Sequence, residues 1–180
     1  ILGHIGDDMV AANAVVQPMG LYSNKIHSLD DIKADTKIAI PNDPSNGGRA
    51  LVLLEKAGII KLKPDYKGEA SIHDVAENPR GVKLVELEAA QLPISLQDLD
   101  VACVPMNYAV SGGLDVNKQG FYFESRDAKY ALIIIAARPD NVQSPEVQTF
   151  VKCYQSPEVA AFIKEKFKGQ INPAWEQPAK

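Results

Sequence analysis

The residues best placed to do chemistry cluster in "PNDPSNGGR", residues 41 to 49, between an apolar strand-like run and an amphipathic helical one. Asn46 or Ser45 can cap the helix, Gly47 and Gly48 let the backbone approach a ligand closely, and Arg49 offers a planar fork suited to an anion. A cation in the first turn of a helix meets partial positive charge from the backbone, at a cost of roughly 0.3–1 kcal/mol. A bound carboxylate would offset that conflict; equally, Arg49 could swing out to solvent and the glycines could serve the turn alone. The stretch lacks G-x-x-x-x-G-K-[ST], so carboxylate suits it better than phosphate.

Asn107 in "VPMNYA" stands at the end of a later apolar run and carries both donors and an acceptor. It could contact the head group of a zwitterion, or cap the short helix that follows. Catalytic sets are poorly represented. His4, His27 and His73 are scattered through polar segments without metal-ligand spacing, and read as surface residues. Cys103 lies inside a strand pattern, which favours an inert thiol over a nucleophile. Glu86 and Glu88 share a strand face, where carboxylates are usually solvated. G-x-S-x-G and G-x-G-x-x-G are absent, and no cofactor is implied.

The elements that must position these residues alternate strand and helix. "KIAIP" (37–41) precedes a helix from Gly47 to Ala57 closed by Gly58; "VKLVELE" (82–88) leads into helix-prone "AAQLPISLQDL"; "VACVP" (101–105) runs into "MNYAVSGG". Such repetition predicts α/β architecture with a mostly parallel, helix-flanked sheet. "YALIIIAAR" (130–138) reads as a central strand buried on both faces. Ser144-Pro145-Glu146 and Ser156-Pro157-Glu158 each place a cap, a proline at the first helical position and an early carboxylate, opening two helices. Ser28 with Asp31 predicts a short helix, and 63–81 and 112–129 read as irregular connections, the first with a short helix over 72–77. Trp175 in "INPAW" packs the tail onto the body.

Composition bounds the rest. The chain has 180 residues, 46% of them hydrophobic and 23% charged, which suits a folded domain or two small lobes and argues against disorder. A formal charge of −4 without a basic cluster offers nucleic acid no electrostatic footprint. The longest apolar stretch, Ala131 to Ala137, is far short of the roughly 20 residues a membrane-spanning helix needs. Cys103 and Cys153 read as two buried free thiols. The opening "ILGHIGDDMV" shows neither an initiator Met nor a signal segment, as in a processed product or a fragment.

Taken in order, "PMGLYS", "IAIPNDPSNGGRALVLLEKAGIIKLK", "LVELEAAQLPISLQDLD", "NYAVSGGL" and "INPAW" resemble the methionine-binding lipoproteins of bacterial ABC importers, the NlpA/MetQ group, from about Gln17 to Trp175. The resemblance implies a type 2 periplasmic-binding-protein-like fold: two helix-flanked mixed-sheet lobes joined by crossover strands, closing on one solute. It implies a non-catalytic solute-binding component that takes methionine, a related amino acid or a dipeptide and delivers it to an ABC permease and ATPase complex. It places the protein in the periplasm or at the cell surface, held by a lipid anchor outside this chain. Arg49 then pairs the ligand carboxylate with Asn46 nearby, and Asn107 contacts the head group. The family's N-G-N-Y-A is here Pro105-Met106-Asn107-Tyr108-Ala109, so Met106 either narrows the pocket or faces the core. The aromatic and histidine wall of the family's first lobe has no counterpart. The expected division is a complete middle lobe, 24–123, and a partial second lobe, 1–23 plus 124–180, whose exposed strand edge invites self-association or a companion segment. Two other readings remain: an α/β small-molecule enzyme using Cys103 or Glu86/Glu88, and a non-binding incomplete paralogue acting as a surface or interaction protein.

Overall fold

A computed structural model describes residues 6–125, 128 and 130–176. In chain order its strands are β1 (Val10–Val16), β2 (Met19–Tyr22), β3 (Lys37–Pro41), β4 (Lys61–Leu62), β5 (Val75–Glu77), β6 (Lys83–Leu87), β7 (Val101–Pro105), β8 (Gly120–Phe123), β9 (Leu132–Ala136) and β10 (Asn172–Pro173). The α-helices are α1 (Pro44–Lys56), α2 (Leu92–Ser95), α3 (Met106–Ser111), α4 (Val116–Gln119), α5 (Pro145–Tyr154) and α6 (Pro157–Phe167). Two compact units emerge, one formed by Met19–Glu124 and the other by Ile1–Pro18 with Ser125–Lys180. The continuous unit thus starts at Met19 rather than at residue 24, because β2 hydrogen-bonds into its sheet between β7 and β8.

In the Met19–Glu124 unit five strands run in the order β6-β3-β7-β2-β8. β3 is parallel to β6 and β7, whereas β2 is antiparallel to β7 and β8. Hence β3, β6, β7 and β8 all end on one edge of the sheet, and β2 begins there. The uninterrupted apolar runs of β3 and β7 suit their central places, since a strand covered on both faces has no solvent side to signal. Ile38, Ile40, Val101 and Cys103 form one core with Leu51 and Leu54 of α1. Each such fully buried aliphatic side chain contributes about 1.5–3 kcal/mol relative to exposure.

Helix α1 begins earlier than the spacing of its apolar residues suggests. Asp43 is its N-cap, accepting the Asn46 N–H at 3.0 Å, and Pro44 occupies the first helical position. Neither Asn46 nor Ser45 is the cap; proline's fixed φ and missing N–H suit it to the position directly after one. The helix ends before Gly58, whose φ of +70° is left-handed as expected. The segment 63–81 holds a 3-10 turn over Ile72–Asp74 and then β5, paired antiparallel with β4, where a longer helix was expected. The segment 112–129, expected to be irregular, contains α4 and β8. Its short apolar run "FYF" follows a glycine directly, so it has too few residues to show a strand period.

The other unit has a sheet of order β10-β1-β9 with α5 and α6. Ser144 Oγ accepts the Val147 N–H at 3.4 Å and Ser156 Oγ the Val159 N–H at 3.3 Å, which are the expected caps. Trp175 packs edge-on against Tyr154 with ring centroids 5.6 Å apart. Strand β9 corrects the reading of "YALIIIAAR": it is an edge strand among the described residues, and Leu132 and Ile133 are 37% and 39% exposed. Apolar composition records what a strand is suited to meet, and among the described residues it meets β1 on one side. Cys153 is also exposed, contrary to expectation, whereas Cys103 is buried; neither forms a disulfide. His4 lies outside the described residues.

Candidate functional site

The carboxyl edge of the five-stranded sheet gathers the residues singled out above. From β3 the chain enters α1 with Asp43, Asn46 and Arg49; from the adjacent β7 it enters α3 with Asn107; from β8 it reaches Glu124. Strand ends of this kind, with helix N-termini beside them, are where open α/β sheets receive ligands.

Arg49 does not extend into solvent. It is 8% exposed, and its guanidinium meets the 7% exposed carboxylate of Glu124: Nε lies 2.9 Å from Oε1 and 3.0 Å from Oε2, and Nη2 lies 2.5 Å from Oε2. The anion that Arg49 was expected to require is therefore supplied, at least in part, by the chain itself. Because Asp43 is the cap, Arg49 sits one turn deeper in α1 than its first turn, which also lessens the conflict with the backbone dipoles. Glu124 is the residue that sequence reasoning missed. Its only signal is a carboxylate directly after an aromatic strand, and nothing in the sequence links it to an arginine 75 residues away.

The neighbouring glycines serve the fold. A Cβ on Gly47 would stand 2.8 Å from the Pro41 carbonyl oxygen, and one on Gly48 would stand 3.0 Å from both the backbone nitrogen and oxygen of Ala70. The close approach inferred from these glycines is thus to the protein's own backbone. A cavity of about 170 Å³ opens beside them, lined in part by Asn42, Asp43, Glu69, Ser71 and Glu86. Asn46 is half-buried, and its carboxamide nitrogen donates to both Asp43 oxygens at 3.2 Å, reinforcing the cap.

Asn107 is exposed within the first turn of α3, whose cap position is held by Pro105. The helix-cap role considered for Asn107 is thereby excluded. Met106 faces the core, and its sulfur accepts the Tyr22 hydroxyl at 3.7 Å. Burial pushes the Tyr22 phenol above its ordinary pKa.

The catalytic candidates lack the required environments. Burial drives the Cys103 thiol well above its usual pKa and the Glu124 charge adds to the effect, so the nucleophilic thiolate is suppressed. Glu86 and Glu88 are exposed, as are His27 and His73. Among the described residues no group of three or more His, Cys, Asp or Glu could hold a metal ion, and no helix is long and apolar enough to cross a membrane.

The sequence profile of the NlpA lipoprotein family matches residues 6–175. This chain belongs to the NlpA lipoprotein family. The NlpA match begins before Gln17, where the quoted blocks first show the likeness. The D-methionine-binding lipoprotein MetQ of Escherichia coli strain K12 is 41% identical over 169 residues, covering 93% of this chain and 62% of that protein. A nutrient-binding protein from Burkholderia cenocepacia, solved bound to methionine, superposes with a TM-score of 0.85 at 44% identity, covering 92% of this chain and 69% of that one. An ABC transporter periplasmic substrate-binding protein from Coxiella burnetii gives 0.83 at 41% identity, covering 92% and 69%. The architecture is that of these NlpA-type periplasmic binding proteins, as the resemblance implied. The chain spans about six tenths of the length of the curated relatives it matches.

Proposed function

We propose that the protein is a non-catalytic solute-binding component of an ABC importer, taking methionine or a close derivative at the carboxyl edge of the Met19–Glu124 unit. The observation that carries the reading is the buried Arg49 at that edge, in a chain similar to a protein solved with methionine bound. Arg49 holds the solute's carboxylate, with Asn46 nearby and Asn107 at the head group. A guanidinium has five N–H donors in a rigid fork, and a carboxylate seated on its Nε–Nη2 side fixes the orientation of the whole plane. The buried Cys103 thiol and the exposed Glu86 and Glu88 favour this over the enzyme reading. Delivery would be to an ABC permease and ATPase complex, and the intact protein would be held by lipid at the periplasmic or outer surface, as the lipoprotein names of its relatives suggest.

The edge of β9, with the exposed Leu132 and Ile133, supports self-association of this chain, because among the described residues β9 ends its sheet and an apolar strand edge is a template for another strand. Calorimetric titration with L-methionine, D-methionine and methionine dipeptides tests the main reading. Heat from at least one compound, lost with Arg49→Ala, is expected; silence from all of them overturns the reading and favours a surface or interaction protein that binds no solute. Native mass spectrometry reports retained ligand mass and oligomeric state together, and a monomer at micromolar concentration would refute the self-association.

A further inference from the structure

Glu124 is the last residue of its unit before the chain leaves at Ser125, and Met19 is the first residue on entry. The two are tied in both directions. The Met19 N–H donates to Glu124 Oε2 at 2.8 Å, and the Glu124 N–H donates to the Met19 carbonyl oxygen at 2.9 Å. The same carboxylate receives Nε and Nη2 of Arg49. One side chain, 7% exposed, therefore joins helix α1 to both passages of the chain into and out of this unit.

We propose that Glu124 is the positioning residue for Arg49, fixing the plane of its guanidinium and locking it to the Met19 and Glu124 passages. The Nε–H shared between both Glu124 oxygens and an Nη2–H on Oε2 hold the guanidinium plane, which cannot turn without breaking at least one of these contacts. The Met19 N–H holds the carboxylate from a further direction, so Arg49 cannot turn without disturbing the backbone at Met19. Whatever engages Arg49 is then felt where the chain crosses. The ligand half of this inference rests on the proposed solute-binding role; the mechanical half does not.

The experiment uses the full chain and two readouts. In nitrogen-15 NMR the Arg49 Nε–H should exchange slowly with solvent, and Glu124→Gln should accelerate it about tenfold or more, because the neutral amide holds the fork less firmly. Arg49→Lys should accelerate exchange of the Met19 amide, which is linked to Arg49 through the Glu124 carboxylate. Titrations compare L-methionine with methioninol, in which a hydroxymethyl group replaces the carboxylate. Glu124→Gln should narrow the preference for methionine about tenfold while methioninol affinity changes by no more than about twofold. A purely structural Glu124 would lower stability and leave that preference intact, which would overturn the proposal. Unchanged Arg49 Nε–H exchange in Glu124→Gln, or unchanged Met19 exchange in Arg49→Lys, would overturn it equally. If the wild-type chain binds neither compound, the solute reading fails and the exchange measurements alone decide the role of Glu124. Should Glu124→Gln not fold, the Arg49→Lys comparison carries the test.

Discussion

Breaking the Arg49–Glu124 pair from one side should cost far more than removing it altogether. Glu124→Leu strips a buried guanidinium of its carboxylate, a loss of about 3–5 kcal/mol, and leaves the Met19 N–H without its acceptor, for about 1 kcal/mol more. Arg49→Met leaves a 7% exposed carboxylate that still accepts from Met19, so the penalty is about 3–5 kcal/mol without the extra loss. The double substitution removes both charges and retains the Met19 deficit of about 1 kcal/mol, partly offset by the added apolar burial. The double variant should therefore be at least about 2 kcal/mol more stable than either single one. Urea unfolding followed by far-ultraviolet circular dichroism measures this. With a slope of about 1.5 kcal/mol per molar urea, Glu124→Leu should lower the midpoint by about 2 M or more, and adding Arg49→Met should restore most of it. Additive losses, with the double variant weaker than both singles, would show that the two side chains are not a buried charge pair and would refute the reasoning.

Two further outcomes follow from side-chain environment. Iodoacetamide at neutral pH should modify the exposed Cys153 in the native protein and reach the buried Cys103 only on unfolding, read by intact mass; native labelling of Cys103 would contradict its suppressed thiolate. Asp100 accepts the Lys37 N–H at 3.0 Å and Lys25 Nζ at 3.2 Å, and the Lys37 bond above all holds its carboxyl below the usual range. A depressed folded-state pKa contributes stability that is fully present above the ordinary aspartate pKa of about 3.9 and is lost as pH falls through the folded value. The stability difference between wild type and Asp100→Asn should therefore be constant at neutral pH and shrink as pH falls below that ordinary aspartate value; a difference independent of pH would rule this out.

The fold was legible wherever local chemistry and burial agreed. "KIAIP" and "VACVP" announced β3 and β7 because strands covered on both faces carry unbroken apolar runs, and the Ser-Pro-Glu triplets announced α5 and α6 because cap and proline act within one turn. Asp43-Pro44 carries the same signal as Ser144-Pro145, yet the adjacent Ser45, Asn46 and glycines offered competing caps that only the register of α1 resolves. "YALIIIAAR" misled for a different reason: apolar content describes a preference for burial, and whether neighbours exist to satisfy it is a property of the assembled sheet. Arg49 was legible as a charge that needed an anion. That Glu124 meets it was not, because the pairing depends on β8 reaching the sheet edge, and β8 is too short to declare itself.

The edge-on packing of Trp175 against Tyr154 has a practical outcome. Since the chain contains a single tryptophan, selective excitation of the indole illuminates only the unit built from the two ends of the chain. Its emission would shift as that unit melts, whereas the unit of β3 and β7 holds tyrosines and no tryptophan. Comparing indole emission with peptide absorption during heating would thus separate the melting of the two units without any introduced label.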